Sequence, residues 1–270
     1  MQNVTLADGI VIRDLATHEE RAEAVRIQQE TWGAGFSESV PAAILMVALK
    51  TGGIAAGAFS ERGRLLGFVF GITGVRDGQL IHWSDLLAVR AEARGRHLGE
   101  TLKRYQRDRC RDIGVERMFW TFDPFVARNA HLNLTQLGAS VHEFVENMYG
   151  VNTNSRSHAL GTDRFVAAWP VRADVVPGLP SVAAFSAAVV VASGGSDCPA
   201  PGEPLPETDA VAVRIPHDHV VAHDIDPART RAWYVAVRRA LSHYLPRGFV
   251  VRGFERSEHG DGRYLLSRNP

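Results

Sequence analysis

Over residues 9–15 apolar and polar positions alternate, which predicts a first strand. From 17 to 32 the spacing turns helical, with Thr17 as N-cap and Glu20 three positions on, as in a capping box. A second helix is expected over 40–50, with Pro41 in its first turn and Gly52-Gly53 ending it. Runs at 54–60 and 65–73 flank the turn Glu61-Arg62-Gly63-Arg64, so they read as an antiparallel hairpin. A further turn, Arg76-Asp77-Gly78-Gln79, leads into a strand over 80–89. The helix expected at 98–113 sets Leu98, Leu102, Tyr105 and Ile113 on one face and Lys103, Arg107 and Arg111 on another. A strand at 117–122, a helix at 127–137 ended by Gly138, and strands at 141–149 and 164–171 follow.

This order predicts an α/β fold: a mixed, mostly antiparallel sheet flanked by helices, with a βαβ unit over 80–122. After Val171 the composition shifts. Residues 1–172 form the first domain, and 173–209 read as a Pro/Gly/Ala-rich linker with at most one short strand near 187–192. A small α/β extension at 210–270 carries a strand at 210–215, a helix at 227–244 and strands at 248–255 and 263–267. At about 60 residues the extension is marginal as an independent domain, so it is expected to pack on the first domain or on a second subunit. No repeat of 20–50 residues is visible.

Composition narrows the classes of function. The chain has 270 residues, 45% hydrophobic and 22% charged, enough for an ordinary globular core. Thirty basic residues balance thirty acidic ones, so no global field recruits nucleic acid or an anionic membrane, and any anion site must be local. No apolar run approaches the roughly 20 residues of a membrane span. The first residues lack a basic stretch followed by an apolar core, so no signal peptide is expected. Cys110 in a helix and Cys198 in the linker make neither a disulfide framework nor a metal pattern, and a cytoplasmic location is expected. His217, His219 and His223 with Asp218 and Asp224 match no helical metal motif, and Pro216 argues for a loop there; no metal is expected. Neither a Gly-x-Ser-x-Gly elbow nor a Walker loop is present.

The chemistry concentrates at 86–99. An apolar strand ends at Val89, a short polar turn follows, and Arg94-Gly95-Arg96 runs into an amphipathic helix. Backbone N–H groups and positive charge at a helix N-terminus suit a phosphate or pyrophosphate; the bland reading is solvated surface arginines. On the preceding strand His82 and Ser84 share one face and Asp85 the other. A carboxylate inside an apolar strand needs a partner or a raised pKa, so Asp85 reads as a base or amine anchor, set against a structural hydrogen bond to a neighbouring loop. His82 is the second candidate, and Trp83 beside it a substrate contact.

The strand, the polar turn, Arg94-Gly95-Arg96-x-Leu98-Gly99 and the helix together resemble the pyrophosphate signature of the GNAT superfamily of acyl-CoA-dependent N-acyltransferases, Gln/Arg-x-x-Gly-x-Gly/Ala. His97 departs from it, standing where the middle glycine is usual. Asn129 matches an asparagine lining the coenzyme A groove, and Leu137-Gly138-Ala139 the end of the helix that carries it. The resemblance covers roughly the first two-thirds of the chain. Thr121-Phe122-Asp123-Pro124 and Arg128-Asn129-Ala130, with the C-terminal extension, look like a subgroup of predicted acetyltransferases, some linked to N-succinylation of amino acids.

The resemblance implies that Leu87 and Val89 pair with the pantetheine arm like an added strand, and that the N–H groups of Gly95, Arg96, His97, Leu98 and Gly99 take the pyrophosphate, with Arg94 and Arg96 adding charge. It implies acetyl-CoA or another acyl-CoA as co-substrate. The usual tyrosine acid is replaced by Leu134, and Tyr149 is a candidate substitute. Asn133 and Glu146 are candidate substrate contacts, with Glu146 and Tyr149 on the 141–149 strand. The expected activity is direct transfer of an acetyl or succinyl group to a small-molecule amine or amino acid. The rivals are a non-catalytic acyl-CoA-binding or regulatory module, favoured by His97 and Leu134, and an assembly role for 210–270 as a homodimer interface.

Overall fold

In the computed structural model of the chain, residues 3–36, 38–150, 160–172, 182–192, 202–258 and 260–268 are described. Cys198 and much of the expected linker lie outside them. The larger sheet has the strand order β1-β2-β3-β4-β5-β6-β8-β7, the smaller β11-β12-β10-β9. The chain divides into two compact units: Met1–Trp120 with Trp169–Asp174, and Thr121–Ala168 with Val175–Pro270.

The first unit is built on an antiparallel succession of β1 (Val4–Thr5), β2 (Val11–Asp14), β3 (Ile54–Phe59), β4 (Leu65–Arg76) and β5 (Gln79–Val89). Every residue of β3 is buried, and its small side chains give close approach: a Cβ at Gly57 would lie 2.4 Å from Leu65 Cδ1 and 3.0 Å from Leu15 Cδ2. Helices α1 (His18–Trp32) and α2 (Ala42–Lys50) pack Ala24, Ile27 and Leu45 against Phe68, Phe70 and Leu86. The capping box forms as expected: the Glu20 N–H donates to Thr17 Oγ1 at 3.2 Å, and the Thr17 N–H to Glu20 Oε2 at 3.3 Å. Pro41 is the N-cap of α2 rather than a residue of its first turn. Helix α3 (Leu98–Asp112) and β6 (Arg117–Phe122) complete the βαβ unit, β6 pairing with β5 in parallel.

In the second unit, α4 (Ala127–Ala130) passes into a π turn at His131–Gln136 instead of one continuous α-helix to 137. Strand β7 (Ser140–Val145) pairs with β8 (Arg164–Pro170) and stops before Glu146. Glu146 and Tyr149 therefore lie in a turn, not on a strand, because Asn147 (φ 48°) and Gly150 (φ 74°) take left-handed backbone. Next come α5 (Val182–Ala187), β9 (Val189–Ala192), β10 (Ala210–Ile215), α6 (His219–Ile225), α7 (Pro227–Tyr244), β11 (Val250–Arg256) and β12 (Gly262–Ser267).

Helix α6 replaces the loop expected after Pro216; Asp218 caps it, accepting from the Val220 N–H at 2.9 Å. The C-terminal extension shares its core with Thr121–Ala168: Phe125 packs edge-on against Trp233 and Tyr234, and buried Tyr264 donates to Pro124 O at 2.9 Å. No helix among the described residues is long and apolar enough to cross a membrane.

Candidate functional site

Strand β5 is irregular where the sequence placed its polar residues. Leu86 pairs with Phe70 and Ser84 with Gly71, so Asp85 is the extra residue of a bulge. A bulge inverts the alternation of faces. Opposite Thr73, Gly71, Val69 and Gly67, residues His82, Ser84, Leu87 and Val89 share one face, while Trp83, Leu86 and Ala88 share the other. His82 and Ser84 share a face as expected, and the extra residue brings Leu87 and Val89 onto that same face. Pairing with β6 is confined to Ile81, His82 and Trp83, opposite Arg117, Met118 and Phe119. Among the described residues, β5 from 84 to 89 pairs with β4 alone, leaving its other edge open for an extended ligand.

The open edge leads directly to the helix start. Arg90 fastens the strand end: its N–H donates to Leu66 O at 2.9 Å, and its buried guanidinium pairs with Glu23 and, at 3.2 Å, with Glu30. A 3₁₀ turn at Ala91–Ala93 follows. Gly95 (φ 80°) and His97 (φ 56°) then take left-handed conformations. The backbone thus supplies at 97 what a glycine ordinarily would, and the imidazole projects outward, 71% exposed. The first helical bond is Thr101 N–H to His97 O at 3.0 Å, so the N–H groups of Leu98, Gly99 and Glu100 precede it and have no acceptor among the described residues, as an anion site requires. Gly99 stands close to the edge strand: a Cβ there would be 3.8 Å from Leu87 Cδ2. Arg94 and Arg96 are exposed; Arg94 Nε donates to Val89 O at 3.4 Å and Arg96 pairs with Asp8 at 2.5 Å, which holds the Asp8 carboxyl below its ordinary range.

Behind β5 lies a buried polar network. His82 has no exposed surface; Nδ1 is 2.9 Å from Thr73 Oγ1 and Nε2 3.0 Å from Gln106 Nε2. An amide nitrogen only donates, so Nε2 accepts and the proton sits on Nδ1, bonded to Thr73, whose hydroxyl donates to Gly52 O at 2.7 Å. Burial, and then the Lys103 charge, push the imidazole down to about 3, so His82 is neutral and its ring nitrogens are both engaged. Gly71 is the space for this contact: a Cβ there would lie 2.2 Å from His82 Nε2.

Lys103, expected on a face apart from the apolar one, is buried at 3% exposure. Its Nζ donates to Ser84 Oγ at 2.7 Å and sits 4.0 Å from the centre of the Trp120 ring. Burial lowers its amine to about 7, against the opposing influence of Cys110 and Asp85. Asp85 itself is exposed, yet desolvation raises its carboxyl while Lys103 lowers it.

The remaining candidates belong to the second unit. Asn129 is half-buried on α4 and Asn133 is buried in the π turn, as is Leu134. Tyr149 is 38% exposed, with its hydroxyl 2.9 Å from Thr121 Oγ1 and the Arg164 guanidinium 5.3 Å from its ring. Glu146 accepts from Ser242 Oγ at 2.5 Å. The turn that carries them is gripped by α7: Arg238 bonds Asn147 Oδ1 at 2.9 Å and both oxygens of buried Asp163, at 2.5 and 2.7 Å. Among the described residues no group of three metal-ligating side chains converges.

Ser84, Lys103 and Gln106 escaped selection from the sequence. The signal was there: Gly99, Lys103, Gln106 and Cys110 recur at i, i+4, i+7 and i+11, one stripe of α3 laid on β5. Counting only apolar positions hid it.

No family model and no curated protein matches the sequence. Solved structures do. The chain is similar to a ribosomal-protein-S5-alanine acetyltransferase from Vibrio fischeri, at 10% identity and a TM-score of 0.51, over 64% of this chain and 98% of that one. A ribosomal-protein-S18-alanine N-acetyltransferase from Escherichia coli aligns at 17% identity and a TM-score of 0.47, over 62% and 96%. An aminoglycoside 6'-acetyltransferase type Ii aligns at 15% identity and a TM-score of 0.48, over 61% and 99%. The mostly antiparallel larger sheet, the bulged β5 with its open edge, and the likeness to the Vibrio enzyme agree: this chain has the fold of the GNAT acyltransferases.

Proposed function

We propose that the chain is an acyl-CoA-dependent N-acyltransferase that moves an acyl group, acetyl or succinyl, to the amine of a small molecule or amino acid by direct attack. The observation that carries this reading is the continuity between the open edge of β5 at residues 84–89 and the unbonded N–H groups that open α3. One edge suits an amide-bearing arm, and the other end suits a diphosphate. Leu87 and Val89 offer main-chain bonds to the arm. Residues 95–99 offer N–H groups to the diphosphate and Arg94 and Arg96 offer charge; the resemblance alone adds Asn129 as a coenzyme A contact.

Acyl-CoA supplies a thioester carbonyl already activated toward an amine. The chain has to hold the amine, take its proton and give one to the departing sulfur. Asp85, with its carboxyl raised by desolvation, is suited to hold the amine and accept its proton. His82 is better read as a fixed neutral brace, since both ring nitrogens are engaged. Trp83, Asn133, Glu146 and Tyr149 are kept as substrate-side groups.

The test is release of free coenzyme A from acetyl- and succinyl-CoA against a panel of amines and amino acids, beside calorimetric binding. Turnover that Asp85→Asn reduces at least about 100-fold supports the reading. Tight binding of coenzyme A with no turnover on any amine favours the regulatory module, for which His97 and the buried Leu134 speak.

A further inference from the structure

The site described so far has a base and no proton donor. Leu134 is apolar and the Tyr149 hydroxyl is within hydrogen-bond distance of Thr121. Beside Asp85, however, stands a buried hydroxyl with a buried amine behind it. Ser84 is 2% exposed and accepts from Lys103 Nζ, and its own hydrogen has no acceptor among the described residues. No carboxylate lies within ion-pair distance of Lys103 among the described residues, so its proton is held by one hydroxyl and one aromatic face. Ser84 also begins the open edge of β5, on the face shared with Leu87 and Val89.

Resting on the acyltransferase reading, we propose that Ser84 donates the proton taken up by the leaving thiolate and that Lys103 replaces it. The balance is direct. As the C–S bond breaks, sulfur keeps the electron pair and takes the hydrogen of the Ser84 hydroxyl; the Ser84 oxygen takes one from Lys103 Nζ, leaving a neutral amine. The proton lost by the attacking nitrogen goes to the Asp85 carboxylate. Solvent restores Lys103 and Asp85 after product leaves. Ser84 is the catalytic residue here, and Lys103 acts through it.

An ordinary thiol, with a pKa of about 8.5, is more basic as thiolate than the Lys103 amine, held at about 7, so the transfer runs downhill. The groups facing Lys103 are Asp85 and His82 from β5, the Trp120 ring from β6 and Cys110 from α3. His82 is neutral and the Cys110 thiol is pushed up to about 12 by burial, so neither competes with Lys103, held at about 7, for the proton near neutral pH; desolvation raises the Asp85 carboxyl.

Lys103→Met, Ser84→Ala and Ser84→Thr test it. In the wild type, kcat should fall on the alkaline side with a midpoint near 7, since the donor must be protonated. Lys103→Met and Ser84→Ala should lower kcat about 100-fold or more, leave KM within about threefold and abolish that alkaline fall, while Ser84→Thr keeps it. Independently of turnover, the Lys103 amine followed by ¹⁵N NMR should titrate near 7, and lower in Ser84→Ala, where its acceptor is gone. A Lys103→Met enzyme with wild-type kcat and an intact alkaline limb overturns the relay and leaves the acyltransferase reading standing. A wild type that neither binds coenzyme A nor turns over overturns both.

Discussion

His97 carries the largest local conflict between sequence and site. An L-residue in left-handed backbone costs about 1–2 kcal/mol, of which glycine recovers part after its greater freedom in the unfolded chain is counted. Substitution His97→Gly should therefore raise stability by up to about 1 kcal/mol in chemical denaturation. Affinity for coenzyme A should stay within about threefold, because the cradle is main chain and the imidazole points to solvent. A clear loss of stability would show that the ring is held for a purpose.

Lys103 makes a second residue-level prediction, with a definite sign. Its amine is depressed in the folded state, so the unfolded chain binds the proton more tightly. The burial penalty is full below about 7 and is released as pH rises toward the ordinary value of 10.5. Lys103→Met should be more stable than wild type at pH 6, and thermal melts should show the gap closing by pH 10. The basic turn at 94–96 was legible from residue order alone. Lys103 was not, because a lysine on a charged-looking helix reads as solvated until the strand beneath it is known.

At the scale of elements, α7 and the turn after β7 form one unit. Asp163 is 2% exposed and both its oxygens bond Arg238. Removing the cation by Arg238→Ala leaves a buried carboxylate unpaired, a loss of about 3–5 kcal/mol. Denaturation should register it, and Arg238→Lys should recover only part, since a single ammonium cannot reproduce the forked contact. The hairpin and the long helices were readable because their periodicity runs over many residues. Shorter features depend on less: the strand expected at 141–149 stops at Val145, because the left-handed turn through Asn147 to Gly150 outweighs the apolar run. The π turn after Ala130 leaves no mark in apolar spacing. The bulge at Asp85 depends on register with β4, which a single strand does not encode.

At the scale of the molecule, a chain with 30 basic and 30 acidic residues has no field to gather an anionic ligand from a distance. Any affinity for a nucleotide diphosphate must come from the few groups around residues 94–100, and so must its sensitivity to mutation. The central claim is that the main chain opening α3, with Arg94 and Arg96 beside it, holds coenzyme A against the open edge of β5. Calorimetric titration of acetyl-CoA into the wild type and into an Arg94→Glu/Arg96→Glu variant tests it most directly. The account predicts saturable one-to-one binding weakened at least about tenfold by the double charge reversal, a change of about 1.4 kcal/mol or more. Absence of heat in the wild type, or equal affinity in the two proteins, would contradict it.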